Sequence, residues 1–253
     1  MRQRKRLFIN PPFGNYMQFF NFKQTTCILG SYTLHARSGL IKNTIKTLRY
    51  SKQHNGWVNK IGLCNAGIDY AISRFHNTKY AKRNVTSVAL TENTDEGIQK
   101  EIEALVEKIP KQMNIELNVS CPNVGRNTKK AYGILNQFLD KEREWCIVKL
   151  PPATKYSTID YYYNLGFRQF HISNTLQTDE GGLSGPRLIR MNVNTIDYIY
   201  KTYKDVTIIG GGGIVDNNTM NQYELADHIS ISTIFLTPHK GMQFLKSWED
   251  RHA

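Results

Sequence analysis

Eight short runs rich in β-branched and aromatic residues alternate with helical segments along almost the whole chain. This alternation limits the fold more than any other feature. The runs are RLFIN (6–10), CILGSY (27–32), VTSVAL (85–90), NIELNVS (114–120), CIVKL (146–150), FRQFHIS (167–173), VTIIG (206–210) and ISISTIFL (229–236). Short, nearly continuous apolar runs suit parallel strands buried on both faces. Between them, Ile98, Ile102, Leu105, Val106 and Ile109 recur at helical spacing behind a Thr94/Asp95 cap. TKKAYGILNQFLDKE places Ala131, Ile134, Leu135 and Phe138 on one helical face, and IDYYYNLG ends at Gly166, a residue that stops helices. MNVNTIDYIYKTY and GMQFLKSWEDRHA supply two more helices. With no linker or repeat in view, the pattern predicts one α/β domain over residues 1–253, a (β/α)8 TIM barrel. A doubly wound open sheet is the alternative. Only about sixteen residues separate the first two runs, near the lower limit for a crossover, so the first βα unit is shortened.

Composition narrows the class. Hydrophobic content of 40% and charged content of 21% fit a globular protein rather than a disordered one. No apolar run approaches a membrane span, and Pro and Gly in LFINPPFGNY interrupt any signal-peptide core behind the basic start MRQRKR, so a cytoplasmic protein is expected. The four cysteines, Cys27, Cys64, Cys121 and Cys146, form no CxxC pair and the seven histidines are dispersed; no metal is expected. The net charge of +12, from 33 Lys and Arg against 21 Asp and Glu, attracts polyanions and phosphorylated ligands. The basic residues are scattered, so a solvated basic surface and an RNA footprint both remain open.

In such a barrel the active site lies at the C-terminal ends of the strands, and the unusual residues gather there. Strand two ends in Gly30 and Ser31, strand four in Asn118, Ser120 and Cys121, strand five in Lys149, and strand six in Asn174 and Thr175. Strand seven runs into four glycines, Gly210 to Gly213, and strand eight passes through Ser232 and Thr233. Four glycines exceed what a turn requires, and with the hydroxyls they suit a phosphate held by backbone N–H groups. Lys149 reads either as a buried cation facing negative charge or as a rim lysine reaching water. Asn59, Asn118, Asn123 and Asn174 offer donors and acceptors to an amide-bearing heterocycle, although asparagines at strand ends also serve as turn residues. Cys121 is either a small core filler or a reactive thiol; Pro122 and the polar neighbours favour the thiol.

These residues resemble a known family. ELNVSCPNV (116–124) is similar to the active-site segment of class 1 dihydroorotate dehydrogenases. GWVNKIGLCNAGID (56–69) resembles the family's loop after strand two, and VKLPP (148–152) its lysine strand. SNTLQTDEGGLSGPRL (173–188) and IIGGGGI (208–214) resemble two further motifs in the family's order, over roughly residues 25 to 240. The resemblance implies an FMN-containing barrel that oxidises dihydroorotate to orotate in pyrimidine biosynthesis. Cys121 is then the general base that removes the C5 proton while hydride passes from C6 to the flavin.

Carried over by position, Asn59, Asn118, Asn123 and Asn174, with Thr175, hold the pyrimidine and its carboxylate, and Ile61, Gly62 and Leu63 present backbone groups to it. Gly30, Ser31, Asn118 and Lys149 adjoin the flavin. Gly212, Gly213, Ser232 and Thr233 take the FMN phosphate, while Gly181, Gly182 and Gly185 shape the loop after strand six. Related soluble enzymes suggest a homodimer, with neither membrane nor nucleic acid as a partner. Two departures stand out. The family's Ala-Ser-Gly or Ala-Ala-Gly turn after strand one is not visible in INPPFGNYMQFF, where Asn15-Tyr16-Met17 stands or the turn is deleted. The lysine that follows strand two in class 1 enzymes is replaced by Gly30, and Gly30-Ser31 resembles the membrane-attached class 2 enzymes instead. Two alternatives follow: a dihydrouridine synthase-like flavoprotein acting on tRNA, which the charge suits, and an FMN-binding relic without turnover, which the missing turn suits.

Overall fold

The computed structural model describes residues 5–18, 20, 22–77, 81–119 and 131–252. All eight expected strands form: β1 (Leu7–Ile9), β2 (Thr25–Tyr32), β5 (Val85–Ala89), β6 (Ile115–Asn118), β7 (Cys146–Leu150), β8 (Gln169–Ile172), β11 (Thr207–Gly211) and β12 (His228–Ile231). They pair in parallel in that order, and β1 pairs with both β2 and β12, which closes the barrel. The fold is a TIM barrel. Its helices are α1 (Gly14–Met17), α2 (Leu40–Thr47), α3 (Ile68–Asn77), α4 (Asp95–Lys108), α5 (Tyr156–Asn164), α6 (Ile189–Thr202), α7 (Asn217–Asn221) and α8 (Pro238–His252).

The helices form where the periodicity places them. In α4 the Thr94 hydroxyl accepts the Gly97 N–H at 3.1 Å, and Ile98, Ile102 and Leu105 are buried against the strands. Each such side chain contributes about 1.5–3 kcal/mol by leaving water. The α5 chain turns at Gly166, whose φ of 100° favours glycine.

The two-residue period of the strands sorts two cores. Leu7 and Ile9 face the helices, whereas Phe8 points into the barrel with Ile28, Val85, Trp145, Ile147 and Ile209. Phe8 meets Trp145 edge-on at 5.2 Å. One step further towards the C-terminal ends, the inward positions are polar instead: Asn10, Ser87, Glu116, Lys149, His171 and Ser230, all buried.

The shortened first unit is real. Helix α1 has four residues, and a Cβ at Gly14 would sit 2.2 Å from the Ile28 carbonyl oxygen, so only glycine allows this approach to β2. Three details differ from the sequence reading. The last strand ends at Ile231, after which Thr233–Leu236 turns as a 3₁₀ helix. The segment Ala131–Phe138 is also 3₁₀, so its buried residues are Tyr132, Leu135 and Phe138, three apart; Ile134 is only half-buried. A second sheet was not foreseen: β3 (Arg49–Ser51), β4 (Gly56–Asn59), β10 (Gly181–Ser184) and β9 (Leu176–Thr178) pair antiparallel. It joins the excursion after β2 to the excursion after β8, both at the C-terminal side of the barrel.

Candidate active site

The polar layer is one connected hydrogen-bond network. Lys149 Nζ on β7 donates to Glu116 Oε1 on β6 at 3.3 Å, and His171 Nδ1 on β8 meets the other Glu116 oxygen at 2.5 Å. Burial alone would raise the Glu116 carboxyl, but the Lys149 ammonium, His171 and a hydrogen bond from Ser87 outweigh it and hold it at about 2. Burial pushes His171 below its ordinary range, against the pull of Glu116. A neutral His171 donates through Nδ1 to the carboxylate and accepts the Ser230 hydroxyl at Nε2, 2.7 Å away. Asn10 Nδ2 then bridges Ser230 Oγ and Ser173 Oγ at 3.4 and 3.2 Å.

A second chain of bonds runs above the first. The hydroxyls of Ser87 and Ser31 are 2.9 Å apart, Asn118 Nδ2 donates to Ser31 Oγ at 3.1 Å, and Asn174 Nδ2 donates to Asn118 Oδ1 at 3.1 Å. The Thr175 amide closes it on Asn174 Oδ1 at 2.8 Å. Ser31 is placed by Gly30, whose φ of 107° accompanies a register shift of β2 against β5. A fixed array of donors and acceptors thus stands over one buried ion pair.

A cleft partly open to solvent is lined by Asn10, Lys149, Ser173, Asn174, Thr175 and Ser230 from these networks, while Ser31, Ser87, Glu116, Asn118 and His171 stand outside its lining. Lys149, Asn174, Thr175, Gly212, Gly213, Ser232 and Thr233, all singled out in the sequence, line it together. Gly212 and Gly213 take φ of 91° and 82°. A Cβ at Gly213 would come 2.5 Å from the Gly185 carbonyl oxygen, so the loops after β10 and β11 meet only because glycine stands there. Gly185, at φ 149°, supports this contact from outside the lining.

Asn59, Ile61, Gly62 and Leu63 do not line this cleft. Asn59 stands on β4 opposite Gly182, where its Oδ1 accepts the Ile61 N–H at 3.4 Å. Gly62 and Leu63 turn left-handed, with φ of 76° and 57°. Ser184, at the end of the neighbouring β10, does line the cleft. Cys121 and Asn123 lie outside the described residues, as does Ser120. Of the other cysteines, burial pushes the Cys27 and Cys146 thiols up to about 12, against the opposing pull of Arg83 and Arg143 respectively. Cys64 donates to the Ile61 carbonyl.

The sequence reading missed Asn10, Ser87, Glu116, His171, Ser173 and Ser230. A signal was present: ionisable and hydroxyl residues at alternate positions within apolar strand runs, a pattern that only a polar barrel interior explains.

The donor set fits an anionic ligand carrying both a phosphate and an amide-bearing ring. The cleft has one ammonium, several hydroxyls and amides, and no carboxylate in its lining. Asn10 Oδ1 is buried beside it without a hydrogen-bond partner among the described residues. FMN has this chemistry. Among the described residues, no helix is long and apolar enough to cross a membrane. No group of three or more His, Cys, Asp or Glu there could hold a metal ion.

Comparison with known proteins agrees with this geometry. The catalytic subunit of dihydroorotate dehydrogenase B (NAD(+)) from Lachnoclostridium phytofermentans is 24% identical over 266 residues, covering 94% of this chain and 87% of the relative. The corresponding subunit from Geobacter metallireducens is 28% identical, covering 71% of this chain and 66% of its own. Dihydroorotate dehydrogenase (quinone) from Buchnera aphidicola subsp. Schizaphis graminum is 26% identical, covering 66% and 59%. A solved structure from Aquifex aeolicus VF5 superposes over 99% of this chain and 91% of its own with a TM-score of 0.52 at 8% identity, a likeness of fold alone. The sequence model of the dihydroorotate dehydrogenase family matches residues 14–221, and the chain belongs to that family.

Proposed function

We propose that the protein is an FMN-dependent oxidoreductase that converts dihydroorotate to orotate. The observation that carries this reading is the Lys149 ammonium, fixed by buried Glu116 beneath a cleft lined by hydroxyls, amides and left-handed glycines. Gly212, Gly213, Ser232 and Thr233 would hold the phosphate, and Ser31, Asn118 and Lys149, beside Gly30, the ring. When bound, FMN supplies the hydride acceptor.

The chain's own residues then have distinct tasks. Lys149 offers positive charge to the electron-rich edge of the ring, and Glu116 keeps that charge from swinging into solvent. Asn118 and Asn174, already bonded to each other, present a fixed donor and acceptor pattern that a pyrimidine carboxylate can match without reorganisation. Asn59, Thr175 and the Ile61–Leu63 backbone would complete the substrate contacts with Asn123. The Cys121 thiolate would take the C5 proton as hydride leaves C6, forming the C5–C6 double bond of orotate.

An anaerobic absorption spectrum of the purified protein, before and after adding dihydroorotate, tests this. A flavin spectrum that bleaches supports the reading, and Cys121→Ala should slow the bleaching by about 10²–10⁴-fold, the range for loss of a general base. A reconstituted flavin that stays oxidised with dihydroorotate would sink it.

A further inference from the structure

Helix α2 is docked with its polar side inward. Asn43 Nδ2 donates to the Ile61 carbonyl at 3.1 Å, and Thr47 Oγ1 accepts the Lys60 amide at 2.9 Å. Asn43, Thr44 and Thr47 are therefore half-buried, whereas Ile41 and Ile45 are 75 and 80% exposed. Soluble amphipathic helices bury the opposite face. Here an aliphatic ridge points to solvent.

Its surroundings are cationic. Residues 33–68 contain Arg37, Lys42, Lys46, Arg49, Lys52 and Lys60, and no aspartate or glutamate. The facing β9–β10 hairpin brings Asp179 and Glu180, and Glu180 pairs with Arg49 at 2.7 Å. Lys42 and Lys46 flank the aliphatic ridge one step round the helix, are exposed, and form no ion pair among the described residues.

We propose that the α2 face bearing Ile41 and Ile45 docks on an anionic lipid bilayer. The aliphatic ridge would enter the acyl boundary while Lys42 and Lys46 meet the headgroups. A nucleic acid would prefer aromatic stacking surfaces to isoleucine. A second copy of this chain, packed about a two-fold axis, would set Lys42 and Lys46 near their own equivalents. At eight residues α2 can only lie on the surface, not span it. This inference does not rest on the oxidoreductase reading.

The test is flotation of the full chain with phosphatidylcholine vesicles, with and without phosphatidylserine, at rising salt. The protein should float only with phosphatidylserine, and less as salt screens the lysines. Ile41→Ser/Ile45→Ser and, separately, Lys42→Gln/Lys46→Gln should each weaken partition by about tenfold or more, at unchanged thermal midpoints. Failure to float with phosphatidylserine vesicles, or flotation of either double variant equal to that of wild type, would overturn the proposal. So would a dimer, or a tRNA complex, that Ile41→Ser/Ile45→Ser abolishes.

Discussion

Asn15 Oδ1, on the four-residue helix α1, accepts the Gly30 amide at 2.9 Å where β2 loses register against β5. The shortened first unit is thereby tied to the strand that positions Ser31 and, through it, Asn118 and Asn174.

Breaking that tie should loosen the site. Asn15→Ala is expected to cost about 1 kcal/mol in urea unfolding, the net worth of one such bond. Gly30→Ala should cost more, roughly 1–3 kcal/mol for the strained backbone alone. At φ 107° its new Cβ would also meet the Ser87 carbonyl oxygen at 2.7 Å. Equal stability of wild type and Gly30→Ala would contradict the described backbone.

The Glu116–Lys149 pair should behave as a coupled unit. Glu116→Gln removes the carboxylate that faces a buried ammonium, and Lys149→Met removes the ammonium that faces a buried carboxylate. Each should lower stability by about 3–5 kcal/mol, while the double variant should lose less than the sum. A denaturant-based double-mutant cycle reads the coupling directly. The Glu116 carboxyl is depressed in the folded state, so its stabilisation is present above the unfolded value of 4.5 and is lost as pH falls towards 2. Glu116→Gln should flatten that part of the stability profile.

His228 contributes a separate acid sensitivity. Burial, followed by the charges of Arg6 and Lys5, lowers it from 6.5 to about 4, and its Nδ1 accepts the Arg6 amide at 3.1 Å. As pH falls through 6.5 the unfolded chain binds a proton that the folded chain refuses, so stability declines down to about pH 4. His228→Gln should show a shallower slope across this window. An unchanged slope would assign the sensitivity to another group.

The glycine contact between loops should govern phosphate binding. Gly213→Ala places a methyl 2.5 Å from the Gly185 carbonyl oxygen at a φ of 82°. Separating the loops should weaken FMN binding by about tenfold or more, since each 1.4 kcal/mol of strain is a factor of ten. Flavin fluorescence titration measures it, and wild-type affinity in Gly213→Ala would remove the glycine from the cofactor site.

The barrel was legible because buried parallel strands announce themselves as near-continuous apolar runs. Lys149, Asn174 and Gly212–Gly213 stood out as oddities at strand ends. Glu116, His171 and Ser230 did not, because each sits within a strand, and only barrel closure brings three strands' inward positions together. The antiparallel sheet was hidden for another reason. Its strands are three or four residues long, β4 and β10 contain glycine, and they pair across distances such as the 123 residues from Asn59 to Gly182. The orientation of α2 was equally illegible: its sequence shows two faces but not which one the fold covers. The 3₁₀ segment Ala131–Phe138 carries a spacing compatible with either helix type until its packing is seen.

The antiparallel sheet has a mechanical consequence. Strands β2 and β8 occupy the second and sixth places in the eight-strand ring, diametrically opposed, yet their excursions are stitched together through β4 and β10. The two excursions are therefore mechanically coupled, although they leave the ring on opposite sides. Displacing Asn59 on one side drags Ser184 and Gly185 on the other, and with them the Gly213 turn.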